Sequence, residues 1–383
     1  MKIVWVNKIT DKEYWGATQL GLTRALRKKG HKVTLVMAKN IGENKSTDED
    51  INYFPTISSP IVSGLIFGLI IFYYFPFFIW KKKPDVVIVD GISVWLPFCL
   101  TLKLMNVPLV IDIRDFPEYK KRPLLFDISL YLSKYVIDGL TTISPELKEI
   151  LQENYDLVNK KIGIWPSGVS IEKFIESSTK NNFSDQKEPD KFVLIHHGSY
   201  VGIHRGIENL IRSIGELDDS LKKITRLKIV GIRLEHQRDL SQFCEELKIE
   251  EQVKILPVVE YNKIPSYIQS SDVGIIPLAT NIKRWDVSVP LKTLEYLAMG
   301  KPIIATNIPF HRRLFEKGNC GVLIDSNNPK VLSDAITYLY NNREKLETMG
   351  KTGKNIVESY YTWDIIALEV ETFIKNVLAD FKK

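Results

Sequence analysis

Cysteine is scarce in this sequence. Three occur in 383 residues, Cys99, Cys244 and Cys320, far apart and odd in number. No two form a CxxC pair, so neither a disulfide framework nor a thiolate zinc site is suggested. A reducing cytosol is the simpler setting. The GxGxxG spacing of a dinucleotide fold is also missing from the turn after the first apolar run, which disfavours NAD. A clustered basic footprint is lacking too. The net charge of +6 is modest for this length. It permits an anionic ligand or an acidic membrane surface but is not the pattern of a nucleic-acid binder. His196, His197 and His204 do not make a recognisable metal-ligand set, and no metal or other cofactor is expected. No secretory signal is expected either: Met1 to Asn7 reads as a buried strand, with polar residues following at once.

Charge is absent from one long stretch. From Ile57 to Trp80 no residue is charged, and Lys81, Lys82 and Lys83 close the run. A spanning helix needs about 20 apolar residues, so this length is at the lower edge. Pro60, Gly64, Gly68 and Pro76 interrupt it. Three readings of segment 57–83 are open. It is a monotopic helix dipped in the membrane surface, which needs an apolar body and basic flanks. It is a buried core segment. Or it is a true span, which would put the strands before and after it on opposite sides of a bilayer.

What is present is a soluble-protein composition, 44% hydrophobic and 26% charged, in a chain long enough for two domains. Apolar runs alternate with helical patterns. Strands are expected at 2–7, 32–37, 86–89, 109–111 and 140–143, with a helix at 16–29 closed by Gly30. The stretch 177–190 is polar and aperiodic and reads as a linker. The alternation then restarts, with strands at 192–195, 227–231, 253–256, 273–276 and 302–305 and a helix at 290–299. This is the pattern of two doubly wound parallel sheets, an α/β architecture. Ligands of such sheets sit beyond the carboxyl ends of the strands, and a cleft between two such domains is a favoured site.

Four stretches carry candidate chemistry. In Asp286–Pro302, Pro290 suits the first position of a helix and Ser288 suits its cap. The amides of Leu291 and Lys292 would then face an anion at the positive end of the helix dipole, and Lys292 adds a full charge. Glu295 shares that face and suits a ribose diol; an ordinary capped helix with a Lys–Glu pair is the alternative. In His196–Gly206, Gly198 lets a ligand approach the backbone, and Arg205 offers a planar fork to a diphosphate before Gly206. A glycine loop with a solvated arginine fits that stretch equally well. In Lys12–Gln19, Gly16 and Ala17 open the first helix, where a phosphate or sugar could meet backbone N–H groups. Asp112, Arg114 and Asp115 stand at the carboxyl end of an apolar strand, which favours a functional role.

Together these stretches resemble the GT-B glycosyltransferases, specifically the retaining family 4 group, over nearly the whole chain. Gly30-His31-Lys32-Val33 is similar to the family's GHxV ending of the first helix. Ile143-Ser144-Pro145-Glu146-Leu147 resembles its vS..l segment. Pro166-Ser167-Gly168-Val169-Ser170 with Phe174 resembles its pNGvD...F hinge entry, with Ser167 and Ser170 in place of Asn and Asp. Asp272–Pro277 resembles the aDv.l.P strand, and Glu295–Pro302 the E.mA.GkPVv signature.

The resemblance implies a fold of two Rossmann-like domains: residues 1–176 for the acceptor, 191–358 for the donor, and 359–383 as a helix packing back on the first. It implies transfer from a nucleoside-diphosphate sugar to a saccharide acceptor, with retention and without a metal ion. Glu295 would bind the donor ribose. Arg205, Leu291 and Lys292 would hold the diphosphate, with Gly198 and Ser199 at the same donor site. Gly16 and Ala17 would lie near the reacting centre, and Asp115 would contact the sugar. Asp115, Arg205 and Lys292 are the residues expected to serve catalysis. Two positions depart from the family. Val287 stands where a glutamate is usual, eight residues before Glu295, and Ser199 and Tyr200 replace the usual Arg after Gly198. The segment 57–83 lies in the acceptor half, so a lipid-linked acceptor at the cytoplasmic membrane face is expected. A GT-B sugar-nucleotide epimerase and a catalytically silent GT-B scaffold subunit remain as alternatives.

Overall fold

The apolar runs become strands buried on both faces, as in Leu109–Ile113 and Phe192–His197, where every side chain is covered. Such strands suit parallel sheets roofed by helices on both sides. A computed structural model describes residues 1–7, 16–40, 51–56, 69–70, 73–90, 96–115, 124–180, 188–200 and 205–382. It contains a seven-stranded and a six-stranded sheet, each in its own compact unit.

The first unit comprises residues 1–168 and 363–383. Its strands are β1 (Lys2–Asn7), β2 (Lys32–Asn40), β3 (Ile51–Thr56), β4 (Val86–Asp90), β5 (Leu109–Ile113), β6 (Gly139–Thr142) and β7 (Ile162–Ile164). They lie in the order β3-β2-β1-β4-β5-β6-β7, and all pair in parallel. The helix Trp363–Phe381 completes this unit. Its Ile366, Val370 and Ile374 share a core with Leu22 and Leu26 of the helix Gly16–Lys28 and with Trp5. Gly21 makes room for it, since a Cβ there would fall 2.4 Å from the Trp363 ring.

The second unit comprises residues 169–362. Its strands are β8 (Phe192–His197), β9 (Thr225–Ile232), β10 (Val253–Pro257), β11 (Val273–Ile276), β12 (Ile303–Thr306) and β13 (Gly321–Ile324). Their order is β10-β9-β8-β11-β12-β13, again all parallel. After β8 the chain winds outward through β9 and β10, then returns to build β11 on the other side. The crevice at the carboxyl ends of β8 and β11 is therefore the topological switch point of this sheet, where ligands of open α/β sheets sit.

The boundary differs from the expected linker at 177–190. The chain joins the second unit at Val169, whose N–H donates to Tyr361 at 2.9 Å. The helix Ile171–Lys180 then takes the start of the supposed linker, because Phe174 is buried with its ring 5.7 Å from Tyr261. Residues 181–187 lie outside the described residues.

Most of segment 57–83 also lies outside the described residues. Its last part is the helix Phe75–Lys82, which buries Phe75, Phe78 and Ile79. Its other face is open: Phe77 and Trp80 are exposed and stacked on each other, and Tyr73 and Tyr74, just before the helix, are exposed as well. Among the described residues no helix is long and apolar enough to cross a membrane.

Candidate functional site

At the end of β8 the chain turns at Gly198, whose φ of +129° lies in the region that favours glycine. A Cβ there would fall 3.0 Å from Lys292 Nζ and 3.8 Å from Arg205 Nη1. The two basic side chains thus stand over a bare backbone turn. Arg205 precedes Gly206, which has φ +69° and lies so close to Pro277 that a Cβ would meet its carbonyl oxygen at 1.9 Å. No other residue admits the chain into the helix Ile207–Gly215 on this path. The Arg205 guanidinium lies 5.7 Å from the centre of the Trp285 ring. Burial lowers its pKa, and Arg284 nearby adds to the effect.

Lys292 comes from the helix Leu291–Ala298 and is only 6% exposed. Its Nζ lies 3.3 Å from His196 Nε2, and His196 Nδ1 lies 2.9 Å from the Ile275 carbonyl oxygen. That chain of contacts bridges β8 and β11 at the switch point. Burial, with Arg205 second, pushes the Lys292 pKa well below its ordinary value, while Glu295 acts the other way. Among the described residues neither Lys292 nor Arg205 is ion-paired with a carboxylate. Two buried basic side chains without a direct ion pair beside a bare turn are costly to charge alone and favourable to charge beside a bound polyanion.

Glu295 is 2% exposed and sits one turn further along the same helix. Tyr261 donates its hydroxyl to Oε1 at 2.5 Å, and His197 Nε2 lies 3.0 Å from Oε2. The His197 backbone N–H in turn donates to the Tyr296 hydroxyl at 2.9 Å, and the two rings meet edge-on at 5.1 Å. Burial raises the Tyr296 pKa well above that of free tyrosine.

Gly198, Arg205 and Lys292 thus lie together in the second unit, with Glu295 one turn along the Lys292 helix; Ser199 and Leu291 adjoin Gly198 and Lys292 in the chain. The helix start differs from expectation in one respect. Pro290 is the residue before the helix, and Ser288 does not cap it, because its hydroxyl donates to Arg284 O at 2.7 Å. The first amides of the helix therefore take no side-chain cap. Val287 is buried at 3% exposure, and Asp286 is exposed. Tyr261, Trp285, Tyr296 and His196 are neighbours that the sequence did not single out as functional. Tyr296 directly follows Glu295; Tyr261 lies far away in sequence and carries no local signal.

In the first unit, Gly16 and Ala17 open the helix Gly16–Lys28, and residues 12–15 lie outside the described residues. Asp115 is exposed just beyond β5. Its neighbours are built into the fold. Thr141 donates to Asp112 at 2.7 Å, and the Arg114 guanidinium stacks 3.7 Å from the Trp165 ring and donates to Ser167 Oγ at 3.3 Å.

Residues 177–356 match the family described as Glycosyl transferases group 1, and residues 18–173 match Glycosyltransferase Family 4. The chain belongs to the group 1 glycosyltransferases. It is 26% identical over 249 residues to a D-inositol 3-phosphate glycosyltransferase of Paenarthrobacter aurescens, covering 63% of this chain and 59% of that protein. The chain spans 59, 55 and 54% of the lengths of three curated relatives it matches: this one, an uncharacterized glycosyltransferase of Methanocaldococcus jannaschii and a D-inositol 3-phosphate glycosyltransferase of Corynebacterium urealyticum. Among solved structures, Anabaena HepE in complex with UDP has a TM-score of 0.73 at 14% identity, covering 98% of this chain and 100% of that one. Sucrose-phosphate synthase from Thermosynechococcus elongatus has a TM-score of 0.75 at 15% identity, covering 99% of both chains. This group 1 glycosyltransferase therefore has the GT-B fold, with two parallel-sheet units.

Proposed function

We propose that this chain transfers a sugar from a nucleoside-diphosphate sugar to a saccharide acceptor, with retention at the anomeric carbon and without a metal ion. The observation that carries the reading is the buried pair Arg205 and Lys292 over the bare Gly198 turn. A departing nucleoside diphosphate accumulates negative charge, and cations fixed in a dry site act most strongly where that charge develops. The uncapped first amides at Leu291 and Lys292 add donors aimed the same way. Glu295, held by Tyr261, is an acceptor suited to the ribose hydroxyls. Leu291, Ser199 and Gly198 complete the donor site in the second unit; Gly16, Ala17 and Asp115 are the first unit's own candidate sugar-contacting residues. A known relation supports the donor class: HepE was solved with UDP.

The acceptor is a lipid-linked saccharide, and the chain works at the cytoplasmic face of a membrane. What supports this is the open aromatic face of the helix Phe75–Lys82, with Lys81 to Lys83 at its end. Such faces lie well in a headgroup region. Thermal unfolding with UDP-, GDP- and other sugar nucleotides tests the donor reading, since a ligand of the folded state raises its stability by mass action. No stabilisation by any of them would overturn it. Product analysis with donor and acceptor then tests transfer. Interconversion of the donor sugar without acceptor would mark an epimerase instead.

A further inference from the structure

His196 is completely buried where β8 and β11 meet, and the transfer chemistry above does not use it. Its Nδ1 lies 2.9 Å from the Ile275 carbonyl oxygen, which can only accept. The hydrogen-bond network therefore assigns the proton to Nδ1. Nε2 is left as a lone pair, and it lies 3.3 Å from Lys292 Nζ, which donates to it. We propose that His196 is a positioning residue for diphosphate recognition: its neutral imidazole fixes the Lys292 amino group beside the Gly198 turn without supplying a counter-charge. The proposal rests on the donor reading of this site.

The choice of acceptor is the physical point. A carboxylate here would also hold Lys292, but it would neutralise it, and an incoming diphosphate would have to displace an ion pair. An imidazole gives direction alone and leaves the charge to the ligand. Its environment favours the neutral ring. Burial, then Lys292, lowers the His196 pKa well below the usual histidine value.

The groups facing Lys292 are His196 on β8, Arg205 ahead of the helix Ile207–Gly215, and Glu295 on its own helix; His197 faces His196, and Arg284 faces Arg205. Without ligand, burial and Arg205 favour the neutral amine. A diphosphate reverses the sign of that field and favours the ammonium. Nucleotide binding therefore takes up a proton at Lys292, and raising the pH opposes it.

The test is calorimetric titration of the full chain with UDP and with GDP, from about pH 7 to about pH 10. The variants are His196→Leu, His196→Gln and His196→Asn. The Gln amide reaches the place of Nε2, whereas the shorter Asn amide reaches only that of Nδ1. His196→Leu is expected to bind about tenfold more weakly, with its alkaline loss of affinity starting at lower pH. His196→Gln restores both, and His196→Asn does not. Unchanged affinity and pH profile in a folded His196→Leu chain would overturn the proposal. So would equal affinities for the Gln and Asn variants, a comparison that stands even where the Leu variant does not fold. Wild-type protein that binds neither nucleotide removes the donor reading itself.

Discussion

Glu295 Oε2 lies 3.0 Å from Nε2 of His197, a close approach without hydrogen-bond geometry. Tyr261 holds the other oxygen, and both partners approach a side chain that water scarcely reaches. A carboxylate fixed this way loses little freedom on accepting two hydroxyl groups. Replacing Glu295 by Ala is expected to weaken nucleotide binding about tenfold or more, because hydrogen bonds to a charged group are lost. Tyr261→Phe keeps the carboxylate but frees one oxygen, so a smaller loss is expected. Titration with the nucleotide that stabilises the wild type checks both. Unchanged affinity in Glu295→Ala would remove that residue from the site.

Gly206 answers to backbone geometry. With φ at +69° and Pro277 O only 1.9 Å from a would-be Cβ, Gly206→Ala must move the chain that carries Arg205. A loss of about 3 kcal/mol or more is expected, together with weakened nucleotide binding. Chemical denaturation reads the first and titration the second. Gly215→Ala, where nothing lies within 4 Å of the added Cβ, is the control and should leave both almost unchanged.

His311 predicts an acid limit to stability. The ring is fully covered; Nδ1 lies 2.7 Å from Thr306 O and Nε2 2.9 Å from Thr293 Oγ1. Burial lowers its pKa from 6.5 to about 4. The unfolded chain therefore binds the proton more readily than the folded one. The folded state is fully favoured above about pH 6.5 and loses about 3 kcal/mol as the pH falls toward about 4. Urea midpoints across that range should show the decline. A His311→Gln chain should show a flatter curve; an equally steep one would assign the decline to other groups.

The exposed face of the helix Phe75–Lys82 makes the membrane reading testable. Phe77→Ser combined with Trp80→Ser leaves buried Phe75, Phe78 and Ile79 in place. That variant should keep its thermal stability but lose co-sedimentation with vesicles containing acidic lipids. Wild-type chain that stays in the supernatant of such vesicles would refute the reading.

The sheets were legible because their central strands are short unbroken apolar runs bounded by turns. Three edge elements were not marked. Ile51–Thr56 contains Asn and Pro, Ile162–Ile164 is three residues long, and Gly321–Ile324 opens on glycine. At the site, Arg205, Lys292 and Glu295 were legible through their glycine, proline and helix-start context. Tyr261 and His196 were not, because their partners lie 34 and 96 residues away and only the folded sheet brings them together. Ser288 reads as a cap by residue type alone, yet its hydroxyl already has a backbone acceptor in the preceding turn.

The helix Trp363–Phe381 also sets an order on biosynthesis. The seven strands of its unit leave the ribosome early, but Ile366, Val370 and Ile374 arrive only after residues 169–362 have been made. A nascent first unit thus waits with an open apolar face while the second unit, whose residues are contiguous, can fold at once. The part of the chain translated first is the last to be finished, and that interval is where a holdase would find its surface.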